Sequence, residues 1–160
     1  MKKVFFLLSL GIVSLGIENT MASYNLNEII KNSNLICDDE YTPITEDMLS
    51  TAEKYLETHI PPAYRDFLSK YGHFMFSGLL LGLPHDGETS TLVDFFRDTS
   101  NDGLDTSIYF PFCKSDQYYW CINKENHKVV YWNSHSKSFD LTDEYNFANF
   151  ESWLINRLTH

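Results

Sequence analysis

Basic residues are scarce in this 160-residue chain, where 12 Lys and Arg stand against 22 Asp and Glu for a formal net charge of −10 at pH 7. Sequence-independent binding to nucleic acid depends on Lys and Arg displacing counterions from phosphates, so neither nucleic acid nor an anionic lipid surface is expected as a partner. Glycine and proline are also few, at 7 and 5 residues, and no collagenous, low-complexity or linker-like stretch follows from such a composition. The three cysteines fit no pair of C-x-x-C knuckles. The sequence lacks G-x-G-x-x-G, a phosphate loop, H-E-x-x-H and G-x-S-x-G, so nucleotide, zincin and α/β-hydrolase chemistry have no motif behind them. Its histidines show no i, i+4 pairing and its acids no EF-hand spacing; no metal and no cofactor is expected. What remains is a chain that is 43% hydrophobic and 16% aromatic, enough for one ordinary core and not for two domains.

One apolar run stands out. Lys2 and Lys3 precede residues 4–17, in which Ser9 and Ser14 are the only polar members, and Thr20, Met21 and Ala22 follow. This pattern predicts a secretory signal peptide over residues 1–22, cut after Ala22, because a bilayer-spanning helix needs about 20 apolar residues. The competing reading is a buried N-terminal helix. Export implies a periplasmic or secreted protein with no membrane attachment after cleavage. Cys37, Cys113 and Cys121 would then meet an oxidising compartment, with two readings side by side: one bridged pair and a spare thiol, or buried small hydrophobes.

Residues 23–43 read as an N-terminal segment, with a short helix around Leu26, Ile29 and Ile30 and an acidic run at Asp38, Asp39 and Glu40. The domain is expected over 44–160. Thr45 is placed as an N-cap, Ile44 and Leu49 as a hydrophobic staple, and Met48, Leu49, Ala52, Tyr55 and Leu56 recur at helical spacing to about Glu57. Pro61 and Pro62 open a second helix carrying Tyr64, Phe67, Leu68 and Tyr71, and Gly72 closes it. Residues 74–83 suit a buried strand or bent hairpin, whereas 85–107 are polar and acidic and read as a loop with a short helix. Strands follow over 108–112, 117–123 and 128–133, the last two alternating as an antiparallel hairpin, with a further strand around 138–141. A final helix is expected from Asn146, as its cap, with Phe147, Phe150, Trp153, Leu154 and Leu158 inward. The order predicts an α+β domain, an antiparallel or mixed sheet with helices packed on one face.

Candidate chemistry is thin. Ser134 and Lys137 satisfy S-x-x-K but stand in an apparent turn without companion motifs, and Cys113 or Cys121 with His127 or His135 is a pairing that three cysteines and six histidines produce by chance. No catalytic residue is expected, and a small secreted Cys or Ser hydrolase is the minor alternative.

Laid in order, five segments resemble the SMI1/KNR4, or SUKH, superfamily. They are Ile44-Thr45-Glu46; Ile60-Pro61-Pro62-Ala63-Tyr64-Arg65-Asp66-Phe67-Leu68 with Tyr71-Gly72; Ser115-Asp116-Gln117-Tyr118-Tyr119-Trp120-Cys121-Ile122; Lys128-Val129-Val130-Tyr131-Trp132; and Phe150-Glu151-Ser152-Trp153-Leu154. Where such relatives carry Asn-Gly or Gly-Gly after the second helix, this chain has Tyr71-Gly72-His73. The resemblance implies an α+β binding module without enzymatic activity, in bacteria mostly an immunity protein that neutralises a cognate toxin by direct contact. Relatives of this kind are mostly cytosolic, so an exported member implies a toxin acting on wall, lipid or membrane. An exported effector or a wall-associated scaffold of the same fold is the alternative. Acidic loops and exposed aromatics are the expected contact surface, with Asp94, Asp98, Asp102, Tyr118 and Trp132 as the partner-binding residues, because aromatic anchors within a charged rim are common in tight interfaces.

Overall fold

The computed structural model describes residues 26–32, 43–72, 74–76, 79–81 and 90–159. The expected leader over 1–22, Cys37, the acids 38–40, and the first part of the acidic stretch expected over 85–107, up to residue 89, lie outside these residues. Helix α1 (Leu26–Asn32) lies against the last helix and contributes Ile30, 1% exposed, to the common core. The boundary expected at Ile44 thus leaves out a helix that packs with the domain.

Helix α2 (Glu46–Leu56) begins where Thr45 Oγ1 accepts the Met48 N–H at 3.3 Å, and Glu46 and Asp47 favour its positive end. Leu49 and Ala52 face inward. Pro62 occupies the first position of α3 (Pro62–Tyr71), where the missing N–H costs nothing, and Tyr64, Phe67 and Leu68 are buried. The connection between these helices is held by charge. Glu53 accepts the Ile60 N–H at 3.0 Å, while Arg65 pairs with Glu46 and lies 3.6 Å from Glu53. Gly72 ends α3 at φ 70°, ψ −134°, a region open to glycine, and its N–H reaches the Leu68 carbonyl at 2.9 Å.

A short antiparallel hairpin, β1 (Phe74–Phe76) with β2 (Leu79–Leu81), follows. The next element corrects the sequence reading. Instead of a short helix in a loop, α4 (Ser90–Asn101) runs for 12 residues with Leu92, Phe96 and Thr99 buried. Its inward stripe is short of apolar residues because Thr99 fills one core position, its hydroxyl bonded back to the Phe96 carbonyl at 3.1 Å.

Strands β3 (Tyr109–Ser115), β4 (Tyr118–Asn123), β5 (Val129–Asn133), β6 (Ser138–Asp140) and β7 (Asn146–Phe147) complete a seven-stranded sheet whose described pairings are all antiparallel. In order β1 to β6 each strand neighbours the next, and β7 shares the β5 edge with β6. The turns at the two ends of β5 are alike. Asn123 Oδ1 accepts the N–H groups of Glu125 and Asn126, Asn133 Oδ1 those of His135 and Ser136, and each loop ends in a left-handed residue, His127 at φ 62° and Lys137 at φ 53°.

The C-terminal helix starts later than expected. Asn146 does not open it; with Phe147 it forms β7, after a 3-10 turn over Asp143–Tyr145. The cap of α5 (Phe150–Thr159) is Asn149, whose Oδ1 accepts the Ser152 N–H at 2.8 Å while its own N–H donates to Ser152 Oγ at 3.1 Å. This reciprocal box satisfies two amides that the first helical turn leaves open.

Helices α3 and α5 lie on one sheet face through Tyr64 against Phe110 and Phe112, and Trp153 against Phe112 and Trp120, with ring centroids 4.8–6.1 Å apart. The opposite face is not open to water. Tyr119, Cys121 and Trp132 are buried there, and the rings of Tyr109 on β3 and Phe139 on β6 meet at 4.5 Å over the two strands between them. The sheet thereby roofs part of its second face with its own aromatics.

Two substitutions check these local assignments. Replacing Asn149→Ala is expected to lower unfolding free energy by about 1 kcal/mol, and His127→Gly to raise it by about 1 kcal/mol by relieving the left-handed backbone; urea unfolding of each variant measures both, with Asn146→Ala as the near-neutral control.

Candidate functional site

The residues expected to form the contact surface separate into two groups. Asp94 and Asp98 sit one turn apart on the outer side of α4, and Asp102 follows its end with an N–H bonded to the Asp98 carbonyl at 2.9 Å. Arg97 stands between the first two, 2.5 Å from Asp94 Oδ1 and 4.0 Å from Asp98 Oδ1, so part of this acidity is neutralised within the helix. Lys114 of β3 faces the same acids. Its ammonium is raised above the ordinary lysine range first by hydrogen bonding to the Tyr119 hydroxyl and then by Asp98 and Asp102, and it stands 5.2 Å from the Tyr119 ring centre.

Tyr118 lies elsewhere, in a row of tyrosines. Its ring stacks on Tyr131 at 4.6 Å with a 6° interplanar angle, and Tyr131 stacks on Tyr145 at 4.7 Å and 17°. All three rings are half-buried. Their placement follows from the strands: Trp120 pairs with Tyr131 across β4 and β5, Tyr118 comes two residues before Trp120 on the same face, and the 3-10 turn brings Tyr145 alongside. Behind the row, Trp120 lies 4.3 Å from Tyr131, and the Arg157 guanidinium of α5 stands over the Trp120 ring, 4.5 Å from its centre. Burial raises the Tyr131 phenol above its ordinary value, while a hydrogen bond with Ser115 and the charge of Arg157 pull the other way.

Trp132 corrects an expectation. At 2% exposed it faces Tyr119 within the second sheet face, because alternation along β5 turns it away from Tyr131, and it presents no anchor to a partner. Tyr131, Tyr145 and Arg157 were not singled out in the sequence. Tyr131 had a legible signal, since it shares the strand period of Tyr118 and Trp120; Tyr145 and Arg157 depend on a turn and a helix start that the sequence placed wrongly.

The nucleophile candidates sit in the core or in turns. Cys113 and Cys121 are free and fully buried, and burial pushes both thiols well up, so neither supplies a thiolate at neutral pH. Ser134 donates its hydroxyl to the Gln117 carbonyl at 2.9 Å within a turn, and His127 and His135 are exposed turn residues. Among the described residues no group of three or more His, Cys, Asp or Glu is arranged to hold a metal ion. A hollow of about 290 Å³ beside α3, floored by Phe67 and Phe150, has Asp66, Lys70 and Glu151 around it and brings no base to a nucleophile.

An α+β domain, with five α-helices and seven strands among the described residues and an aromatic row beside α5, is thus the class that the architecture defines. The family described as SMI1-KNR4 cell-wall, SUKH_5, matches residues 17–159, and the chain belongs to that family. The match takes in all five segments of the resemblance and reaches further toward the N-terminus. A crystal structure of a protein from Pseudomonas syringae pv. tomato is similar in fold, with a TM-score of 0.62 and 15% sequence identity over 80% of this chain and 91% of that one. No curated protein matches the chain.

The thiols give a direct check. With Cys37→Ser in the background, Ellman's reagent is expected to leave both remaining thiols untouched in the native protein and to titrate both in guanidinium. The same burial sets a pH trend. A thiol whose folded pKa is raised keeps its proton when the unfolded chain has lost it, so stability falls as pH rises above about 8.5; unfolding midpoints at pH 7 and pH 10 are expected to separate less in a Cys113→Ala, Cys121→Ala double variant.

Proposed function

We propose that this chain is a non-enzymatic protein-binding module, an immunity protein that neutralises a cognate bacterial toxin by direct contact. The observation that carries the reading is the tyrosine row. Tyrosines are enriched at the centres of protein interfaces because each ring buries much area with few torsions to freeze, and these three are already held by stacking and by a rigid sheet. The acids of α4 supply a charged rim that favours a basic counterpart and speeds encounter. Membership in the SMI1/KNR4 family supports a binding role on this fold. The partner is a protein, and the site of action is periplasmic or extracellular if residues 1–22 act as the leader that their sequence suggests.

A second reading has its own support. The family's description carries the words cell-wall, and an exported effector or wall-associated scaffold would use the same surface. Fractionation separates the two, because protein released to the medium cannot guard the periplasm of its producer.

Co-expression with the product of the adjacent reading frame is expected to yield a stable complex and to protect the host cell. Tyr118→Ala is expected to weaken that complex by roughly tenfold or more, measured by calorimetry, with Asp94→Asn slowing association at low salt. Absence of both complex and protection overturns the immunity role.

A further inference from the structure

Arg157 differs from the other two arginines. Arg65 pairs with Glu46 and Glu53, and Arg97 with Asp94 and Asp98; among the described residues Arg157 has no carboxylate partner. Its Nε is buried and makes no hydrogen bond, and the same is true of Nε1 of Trp153, a residue 0% exposed whose ring lies 5.8 Å from Trp120. Both atoms can only donate. One corner of the fold therefore holds two unanswered donors and an unpaired positive charge in a chain of net charge −10, which has carboxylates to spare elsewhere. Both atoms are sealed inside the chain, so the donors a partner can reach are the terminal guanidinium nitrogens of Arg157, a residue that is only part-buried.

We infer that Arg157 and the hydroxyl edges of Tyr131 and Tyr145 form a receptor for a carboxylate side chain of a protein partner, an Asp or Glu that reaches over Trp120 to the guanidinium. This deepens the binding-module reading and rests on it. The geometry favours a carboxylate over a sugar. A pyranose needs an open ring face, whereas Tyr131 is flanked by Tyr118 and Tyr145 in near-parallel stacks and by Trp120 beneath. A guanidinium held 4.5 Å over an indole is restrained in position, and its fork can meet two oxygens at small entropic loss. The α4 acids and this cation then give the surface two zones of opposite sign, which pins the orientation of a partner.

The test needs no toxin. In ¹⁵N-labelled full chain the Nε–H resonance of Arg157 is followed while an acetylated, amidated Gly-Glu-Gly peptide is added, with Gly-Lys-Gly and tri-N-acetylglucosamine as separate arms. A saturable shift with a dissociation constant of roughly millimolar order is expected for the glutamate peptide alone. Arg157→Lys keeps the charge and loses the fork, and is expected to weaken binding about tenfold; an unchanged affinity in that variant overturns the guanidinium's role. No saturable shift, an equal response to the lysine peptide, or a response to the sugar overturns the inference. A silent titration beside an intact toxin complex sinks this receptor and leaves the binding module standing, whereas a positive titration without a complex does the reverse.

Discussion

The burial of Tyr64 fixes the relation between the helices and the sheet. Its ring is 0% exposed and touches Phe67 on its own helix, Phe110 and Phe112 on β3, and Phe150 at the start of α5, with centroids 5.2–6.3 Å apart. Aromatic contacts of this kind combine large buried area with preferred tilts, so they set angles between elements as well as distances. Three elements from separate parts of the chain converge on one side chain. The Pro61-Pro62 start of α3 and the Gly72 stop deliver Tyr64 to that point, and Phe150 arrives because the Asn149 cap, the residue just before it, starts α5 there.

From this hub the core extends as one stack of rings toward the surface. Phe112 leads to Trp153, Trp153 to Trp120, and Trp120 to Tyr131 and the half-buried tyrosine row. The surface tyrosines therefore continue the core instead of decorating it. A partner meeting them meets side chains whose rotamers the interior already holds, and little conformational entropy is left to lose on contact.

Much of the fold was legible in the sequence because its signals are local. Thr45, the Pro61-Pro62 pair and Gly72 mark helix ends by backbone chemistry, and the β4 to β5 hairpin follows from strict alternation around a polar turn. Errors occurred where tertiary context overrode local pattern. Helix α4 hides its inner stripe behind Thr99; Asn146 offers a plausible cap, yet Asn149 has the better one because Ser152 can return its hydrogen bond. The candidate site was less legible for the same reason. Strand alternation sets Tyr118 and Trp132 on opposite faces of the sheet, but alternation alone does not say which face stays half open. Tyr145 and Arg157 join the row only after a 3-10 turn and a helix have been placed in space.

Along β5 the outer edge is divided between two tiny ladders, three residues of β6 and two of β7, linked by the 3-10 turn. A strand border shared in this way leaves no long run of free amides and carbonyls on that flank, so concentrated protein has nothing there against which copies of itself can polymerise into a continuing sheet.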